Sequence, residues 1–501
     1  MPLILDDTGP STTAPTPPSG TDPTARGPYH DEQHRRRLVH HDADVVIIGA
    51  GVFGTAAAVA LARQGRSVIL LERSLREPDR IVGELLQPGG VGALRALGLG
   101  DCLEGIDAVP CFGYDVVYYG TGVGIPYPKE EGAGGGNGGK RPQGKGFHHG
   151  RFISRLREAA GRERNVTVVE TEAKDLVRNG WTGQVLGVEC STKGEKDYYF
   201  GHITLVADGY ASKFRKSNHP HRPEVRSKFF ALELIDAELP MPGHGHVILT
   251  EGPPVLLYQI GTHETRALID IPDKLPSASV AAGGVKNHLE NVVLPSLPKC
   301  VQPSFEAAMR AGKLRSMPNS FLPPATNRTP GLVIAGDALN MRHPLTGGGM
   351  TVAFNDVVLL AELLHPDSVP SLADHHLVLR QMKAFHWRRK NWAAVINILA
   401  LALYALFAAD DPNLKTLQLG CFRYFQRGGN CIDGPVGLLA GIIRQPLILF
   451  YHFFSVAMYA IWIRVSEAPL LMKPWALVSS VAVFWTACRV IFPYIWCELR
   501  P

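Results

Sequence analysis

The chain lacks the marks of several common functional classes. Its eight cysteines include no C-x-x-C pair and give no disulfide framework. They fit free, mostly structural thiols in a reducing compartment. Cys421 and Cys431 flank a Gly-Gly turn, where a buried thiol is expected over a disulfide. No H-E-x-x-H occurs and no nucleophile triad stands out, so metal and covalent hydrolytic chemistry are not indicated. Charge of one sign is not concentrated. The formal net charge is +5 over 501 residues and the basic residues are scattered, so no nucleic-acid partner is implied. Met1–Arg37 lacks the apolar core of a signal peptide. It is rich in Pro, Thr, Ser and charge and is expected to be disordered, with Arg35-Arg36-Arg37 a solvated cluster.

What the chain does contain is a set of three distant segments that fit one ligand. In the first, the apolar run Val45–Ile48 reads as a strand buried on both faces. Gly49, Gly51 and Gly54 then supply G-x-G-x-x-G. The first glycine allows the tight turn, the second lets the backbone approach a pyrophosphate, and the third lets helix Thr55–Gln64 pack on the strand. The helix N-terminus directs free N–H groups and partial positive charge at phosphates. A second strand, Ser67–Leu71, ends at Glu72, whose carboxylate accepts from a ribose 2′-OH and repels a 2′-phosphate. A second copy of the motif, at Gly134, Gly136 and Gly139, has neither strand nor helix around it and reads as a flexible loop.

The other two segments favour FAD over NAD. Leu332–Ala335 reads as a strand entering Gly336-Asp337, an aspartate placed to hold sugar or ribityl hydroxyls. Pro344-Leu345-Thr346-Gly347-Gly348-Gly349-Met350 then precedes the helical run Thr351–Leu364. Glycines before a helix let backbone amides reach a flat ring, and the helix dipole favours the negative charge of a reduced flavin by roughly 0.3–2 kcal/mol. The middle segment carries Ala207-Asp208-Gly209 with Ser212 and Arg215, which resembles the short Asp-Gly fingerprint of flavin hydroxylases.

From about Asp44 to the C-terminus the chain resembles the squalene epoxidase (squalene monooxygenase) family, in the para-hydroxybenzoate-hydroxylase-like flavoprotein group. The resemblance is carried by Glu77–Ala108, Ile125–Pro128, Phe147–Arg157, Leu314–Pro324 and Asn340–Phe354. It implies an α/β FAD-binding Rossmann-like (glutathione-reductase-2-like) domain with an inserted mixed β-sheet substrate domain and a C-terminal helical membrane-attachment region. The expected boundaries are a disordered segment 1–42, and an FAD-binding domain made of 43–113, 147–216 and 325–365. A substrate domain of 114–146 and 217–324, a helical region 366–436 and membrane-associated helices 437–501 complete the chain. The glycine-rich stretch Gly132–Gly146 departs from the family pattern and is expected to be a loop.

The resemblance also implies residue roles. Val52 and Phe53 should touch the pyrophosphate, and Glu72 and Arg73 the adenosine. Arg80 and Arg151 match the family's FAD-contacting arginines, and Thr167 should lie by the adenine. Asp208, Asp337, Gly348, Gly349 and Met350 complete the cofactor set, with Leu85 and Gln87 beside the flavin ring. His148-His149 should orient the Arg151 turn. Gln87 and Tyr127 are the candidate catalytic pair, with Tyr127 holding Gln87. Leu257, Tyr258, Phe321, Leu322 and Pro323 are candidate pocket walls.

The implied activity is epoxidation of squalene to (S)-2,3-epoxysqualene with O2, through a flavin C4a-hydroperoxide, in sterol biosynthesis. The region between Arg222 and Asn319 reads as strands and holds no second strand-glycine-helix unit. Reducing power is therefore expected from outside the chain, and the resemblance implies an NADPH-cytochrome reductase as its source. Pro446–Ile463 and Trp475–Trp496 each approach the roughly 20 apolar residues that cross a bilayer. Arg489 is costly in mid-membrane, and a spanning hairpin and one-sided embedding both remain open. Trp392–Ala409 should pack on the FAD domain or dip into the membrane edge. The implied location is the endoplasmic reticulum membrane, facing the cytosol, and also lipid droplets. The rival readings are an FAD-dependent prenyl-chain reductase and a non-catalytic prenyl-lipid carrier.

Overall fold

The computed structural model describes residues 28–129 and 141–500. The glycine motif at Gly134, Gly136 and Gly139 lies outside them.

The chain begins with α1 (Pro28–Val39), β1 (Asp42–Ile48), α2 (Val52–Arg63) and β2 (Val68–Glu72). Val45–Ile48 is fully buried, as its unbroken apolar run demands, and the small Ala56-Ala57-Ala58 face lets α2 lie close on the sheet. β3 (Leu85–Leu86), α3 (Pro88–Ala96), β4 (Val109–Cys111), β5 (Gly113–Tyr118), β6 (Thr121–Pro126) and β7 (Gly144–Gly146) follow. Next come α4 (His149–Arg162), β8 (Val166–Glu170), β9 (Glu172–Arg178), β10 (Val185–Thr192) and β11 (Glu195–Val206).

These strands build the cofactor sheet in the order β8-β2-β1-β11-β10-β9. The first four strands run parallel, and β10 and β9 extend the sheet antiparallel. β17 (Leu332–Ile334) pairs parallel with the end of β11, Thr204 against Leu332.

A second sheet comes from β12 (Glu224–Ile235), β13 (Gly245–Leu249), β14 (Val255–Gln259), β15 (Glu264–Pro272) and β16 (Arg315–Phe321) together with β5 and β6. Its order is β16-β12-β15-β14-β13-β5-β6, antiparallel except where β13 meets β5. The short α5 (Gly284–His288) and α6 (Leu294–Ser296) lead to α7 (Gln302–Ala311), which packs on β12. A small third sheet, β3-β7-β4, joins the two large ones.

The C-terminal third is helical: α8 (Gly349–Leu363), α9 (His375–Arg388), α10 (Lys390–Phe407), α11 (Pro412–Gln426), α12 (Asn430–Leu439), α13 (Pro446–Ser466) and α14 (Lys473–Leu499). The boundary expected between 436 and 437 falls inside α12.

Two expectations need correction. The segment 1–42 is not wholly without structure, because α1 forms, and Arg37 is 1% exposed rather than solvated. Its guanidinium donates to Thr167 Oγ1 (3.0 Å) and to the Arg164 carbonyl (2.7 Å), pinning α1 on edge strand β8. One cation of a basic run thus serves as a staple because it meets backbone and hydroxyl acceptors at the sheet edge. Likewise, Gly144–Gly146 is not loop but strand, pairing with Leu85–Leu86 on one side and Val109–Cys111 on the other. Glycine is required there: a Cβ on Gly146 would stand 2.1 Å from the Gln259 carbonyl oxygen.

Candidate FAD and substrate site

The three sequence segments converge at the carboxyl ends of the parallel strands, where open α/β sheets bind ligands. Gly49 (φ +102°) presses on the second segment, so that a Cβ there would lie 2.6 Å from the Ala207 carbonyl oxygen. Gly336 (φ +59°) packs on Phe53 of the first. Arg215 ties the second to the third, donating to the Asp337 carbonyl (3.0 Å) and the Tyr210 carbonyl (2.6 Å).

The convergence leaves two connected hollows. The outer one is lined by Gly49, Gly51, Glu72, Arg73, Asp208 and Arg157 and encloses about 1930 Å³ including its mouth. The inner one, about 1490 Å³ including its mouth, is lined by Val52, Phe53, Leu85, Asp337, Gly349 and Met350, and also by Leu257 and Tyr258. Arg80 and His149 border both. Arg80 also lies over the Tyr210 ring, 5.4 Å from its centroid.

The hollows fit an elongated anionic dinucleotide with a flat ring. No heavy atom lies within 4 Å of where a Cβ would stand on Gly51, Gly209 or Gly349, so bare backbone faces open space. The N-termini of α2 and α8 both begin at the cleft and carry unsatisfied N–H groups and positive partial charge. Asp208 Oδ1 is buried without a hydrogen-bond partner. Burial pushes its carboxyl up, and the Ser212 hydroxyl offsets part of that. Glu72 stabilises the glycine turn itself, accepting from the Ala50 N–H (2.9 Å) and the Ser74 N–H (3.2 Å), with Arg157 at 3.4 Å.

Several expected site residues stand elsewhere. Gly54 lies beneath the cleft, where a Cβ would be 1.9 Å from the Gly49 carbonyl oxygen. Gly348 packs against α10, where a Cβ would stand 2.4 Å from Ile396, so only glycine fits there. Arg151 lines neither hollow. On α4 the cleft face is His149, Ile153 and Arg157, spaced by four, and Arg151 is turned roughly 200° from His149 at about 100° per residue. Thr167 is engaged by Arg37 and also lines neither hollow. Phe321 packs edge-on against Tyr494 of α14 (5.8 Å), and Leu322 bridges to Met341. Phe321, Leu322 and Pro323 are replaced in the inner wall by Met317, Pro318 and Ser320. Sequence reading missed His149, Arg157, Tyr114 and Arg342. The i, i+4, i+8 spacing on α4 was the available signal for the first two.

Gln87 and Tyr127 meet, but one layer behind the cleft. Both are fully buried. Tyr127 donates its O–H to Gln87 Oε1 (2.7 Å). Gln87 Nε2 donates to the Thr346 carbonyl (2.9 Å) and contacts the Tyr114 hydroxyl. Gln87 therefore backs onto Gly347, which does line the inner hollow. Burial pushes the Tyr127 phenol well above its ordinary range, so it stays a neutral donor.

His149 donates from Nδ1 to the Gly83 carbonyl (2.8 Å) and is pushed down to about 4 by burial and the Arg80 charge. His246, on β13, is pushed to about 4 by burial. Both imidazoles are neutral when folded, while in the unfolded chain they bind protons below about pH 6.5. Stability carried by their neutral burial is thus complete above pH 6.5 and falls as pH drops towards 4. Urea midpoints measured across that window should decline with acid, and His149→Asn should flatten the decline.

Comparison with known proteins completes the assignment. The squalene epoxidase family profile matches residues 200–478, and an FAD dependent oxidoreductase profile matches residues 44–78. A squalene epoxidase of Aspergillus fumigatus is 63% identical over 474 residues, covering 94% of this chain and 97% of its own. The chain belongs to the squalene epoxidase family. Squalene monooxygenase of Mus musculus, at 44% identity over 464 residues, covers 92% of this chain and 78% of its own. The fold also matches p-nitrophenol 4-monooxygenase of Pseudomonas putida, with a TM-score of 0.62 at 18% identity over 80% of this chain and 98% of the other. The cofactor of this squalene epoxidase-family chain is FAD, and the cleft residues accommodate it.

Proposed function

We propose that this chain epoxidises squalene to (S)-2,3-epoxysqualene with O2 and electrons from an NADPH-dependent reductase, as a step of sterol biosynthesis at the cytosolic face of the endoplasmic reticulum membrane. The observation that carries the reading is an apolar continuation of the inner hollow. Tyr114, Val247 and Leu345 line both that hollow and a further apolar recess of about 390 Å³ including its mouth, which Leu403, Phe407 and Phe425 of the C-terminal helices also line. The apolar lining suits a hydrocarbon, since each buried CH2 contributes about 0.8 kcal/mol. The repetitiveness of such a chain makes register the difficult problem, and the apolar end of the path is where the choice of double bond is made.

Bound FAD, once reduced, activates O2 and supplies one oxygen atom to an alkene. The chain positions the alkene and excludes water. Leu256 and Tyr258 share one face of β14 and give the inner hollow apolar surface, while Leu257 between them turns its side chain to the opposite face and packs with Leu232 and Phe305. The Tyr127–Gln87–Thr346 bonds fix the backbone of the glycine segment from behind. Tyr127→Phe removes one donor and frees the Gln87 amide to turn. Turnover should fall about tenfold, the equivalent of a hydrogen bond of roughly 1.4 kcal/mol, with FAD content unchanged. Unchanged turnover would remove Tyr127 from the positioning of the site.

Membrane attachment has its support in α13 and α14. Only 33% and 28% of their apolar windows are buried, against 67% for α10. Leu447, Tyr451, Leu471, Trp475, Val481 and Trp485 are exposed along them. Yet both ends of this hairpin touch the catalytic body. Arg464 donates to Thr416 Oγ1 at the start of α11 (3.2 Å), and Arg226 of β12 donates to Tyr494 near the far end (2.7 Å). A hairpin lying along the body favours embedding from one side over spanning. The external reductase is supported by the motif count: among the described residues β1–α2–β2 is the single βαβ unit with a G-x-G-x-x-G turn.

The test is mass analysis of the product from squalene, reductase and NADPH under labelled oxygen gas. One labelled atom in an epoxide is expected. A saturated product formed without oxygen would instead establish a prenyl-chain reductase, and a colourless, oxygen-inert preparation a lipid carrier.

A further inference from the structure

A buried cation in the wall of the inner hollow has no role in the account so far. Arg342 is 9% exposed and lines that hollow beside Asp337 and Gly349. Its Nη2 donates to the Asn340 carbonyl (2.9 Å) and to Asn340 Oδ1 (3.1 Å). Its Nη1 reaches the Gly349 carbonyl at 3.4 Å, and its Nε is buried without a partner.

The neighbouring Arg389 is matched by Asp356 at 2.7 Å, but among the described residues no carboxylate lies within ion-pair distance of Arg342. Asp337, Asp356 and Glu498 act on it only from farther away. Its position is nevertheless fixed. Asn340 Oδ1 also accepts from Arg389 (3.2 Å) and Asn397 (3.0 Å), and Asn397 is tied to Glu498 at the end of α14 (2.7 Å). A desolvated guanidinium held rigidly without a contact anion is costly unless a ligand supplies the anion.

We propose that Arg342 is a cofactor-tuning residue whose charge favours the anionic reduced form of the flavin over the oxidised form. Two-electron reduction with uptake of one proton leaves the ring with one net negative charge, and the electrons come from the external reductase. Arg342 adds a full positive charge to the partial charge of the α8 N-terminus, in a site where low dielectric strengthens both. The inference rests on the cleft being the FAD site.

The experiment is a potentiometric titration of the FAD-loaded protein as wild type, Arg342→Gln and Arg342→Lys. Arg342→Gln should lower the preference for reduced over oxidised FAD at least tenfold, a midpoint about 30 mV more negative for a two-electron couple. Arg342→Lys, which keeps the charge, should stay nearer wild type. Where Arg342→Gln holds FAD too weakly to isolate loaded, the ratio of its dissociation constants for oxidised and dithionite-reduced FAD reads the same quantity. A purely structural role would weaken both forms equally, so an unchanged midpoint or ratio overturns the proposal. A wild-type protein that binds no FAD would instead sink the reading of the cleft.

Discussion

Gly51→Val should give a folded protein that cannot hold FAD. Gly51 caps α2 at φ −89°, ψ −164°, an extended conformation open to valine. No heavy atom lies within 4 Å of its Cβ position, so the fold has room for the new side chain. The weaker capping of valine costs about 1 kcal/mol. What the side chain does occupy is the space through which a pyrophosphate reaches the N-terminus of α2. Loss of two hydrogen bonds to charged oxygens, at roughly 1.5–3 kcal/mol each, weakens FAD binding by about 10²–10⁴-fold. The measurements are flavin content after purification, calorimetric titration with FAD, and the melting temperature of the apo forms. A yellow Gly51→Val protein would show that the cofactor does not approach here. Gly54→Val is the contrast. Its Cβ would stand 1.9 Å from the Gly49 carbonyl oxygen, so the βαβ unit itself must give way and the chain should fail to fold.

Arg266→Met should be the most destabilising change outside the glycine turn. Arg266 on β15 makes a two-pronged pair with Glu84, Nε to Oε2 and Nη2 to Oε1, each 2.8 Å. Glu84 is 1% exposed and immediately precedes β3. The pair therefore clamps the substrate sheet onto the segment that carries Leu85 and Gln87. Burial pushes the Glu84 carboxyl up, and Arg266 offsets part of that. Removing Arg266 leaves a buried carboxylate that must be protonated or exposed, at about 3–5 kcal/mol, a large share of the 5–15 kcal/mol typical of a folded domain. The double change Glu84→Leu with Arg266→Met replaces both charges by apolar groups and should recover most of the loss. Denaturant titration of the two variants and wild type measures this. A loss below about 1 kcal/mol for Arg266→Met would mean that the clamp contributes little.

Much of the cofactor half was legible because its signals are local. Val45–Ile48, the three glycines and Glu72 lie within one βαβ unit, and each obeys a constraint set by its own neighbours: burial on both faces, a turn, a helix start. The same holds for the substrate sheet, where the region between Arg222 and Asn319, read as strands, holds β12, β13, β14 and β15. Less legible was orientation about an axis. Arg151 and Gly348 were assigned to the site by position in a motif, and neither lines the two hollows, because a step of one or two residues in a helix or turn changes the face. Phe321 and Leu322 do not line the inner hollow either, for a related reason. Their partners, Tyr494 and Met341, come from distant segments that no local pattern announces.

The sequence alone determined that a dinucleotide would sit on β1 and α2, that a mixed sheet would follow, and that the chain would end in apolar helices. Those outcomes depend on backbone conformation and hydrophobic periodicity, which a short window encodes. Only the tertiary structure decided that Arg37 is a staple, that Tyr127 and Gln87 stand behind the cleft, and that Arg342 faces it without a counter-ion. Burial and charge compensation are properties of the surroundings, and those surroundings exist only once segments hundreds of residues apart have met.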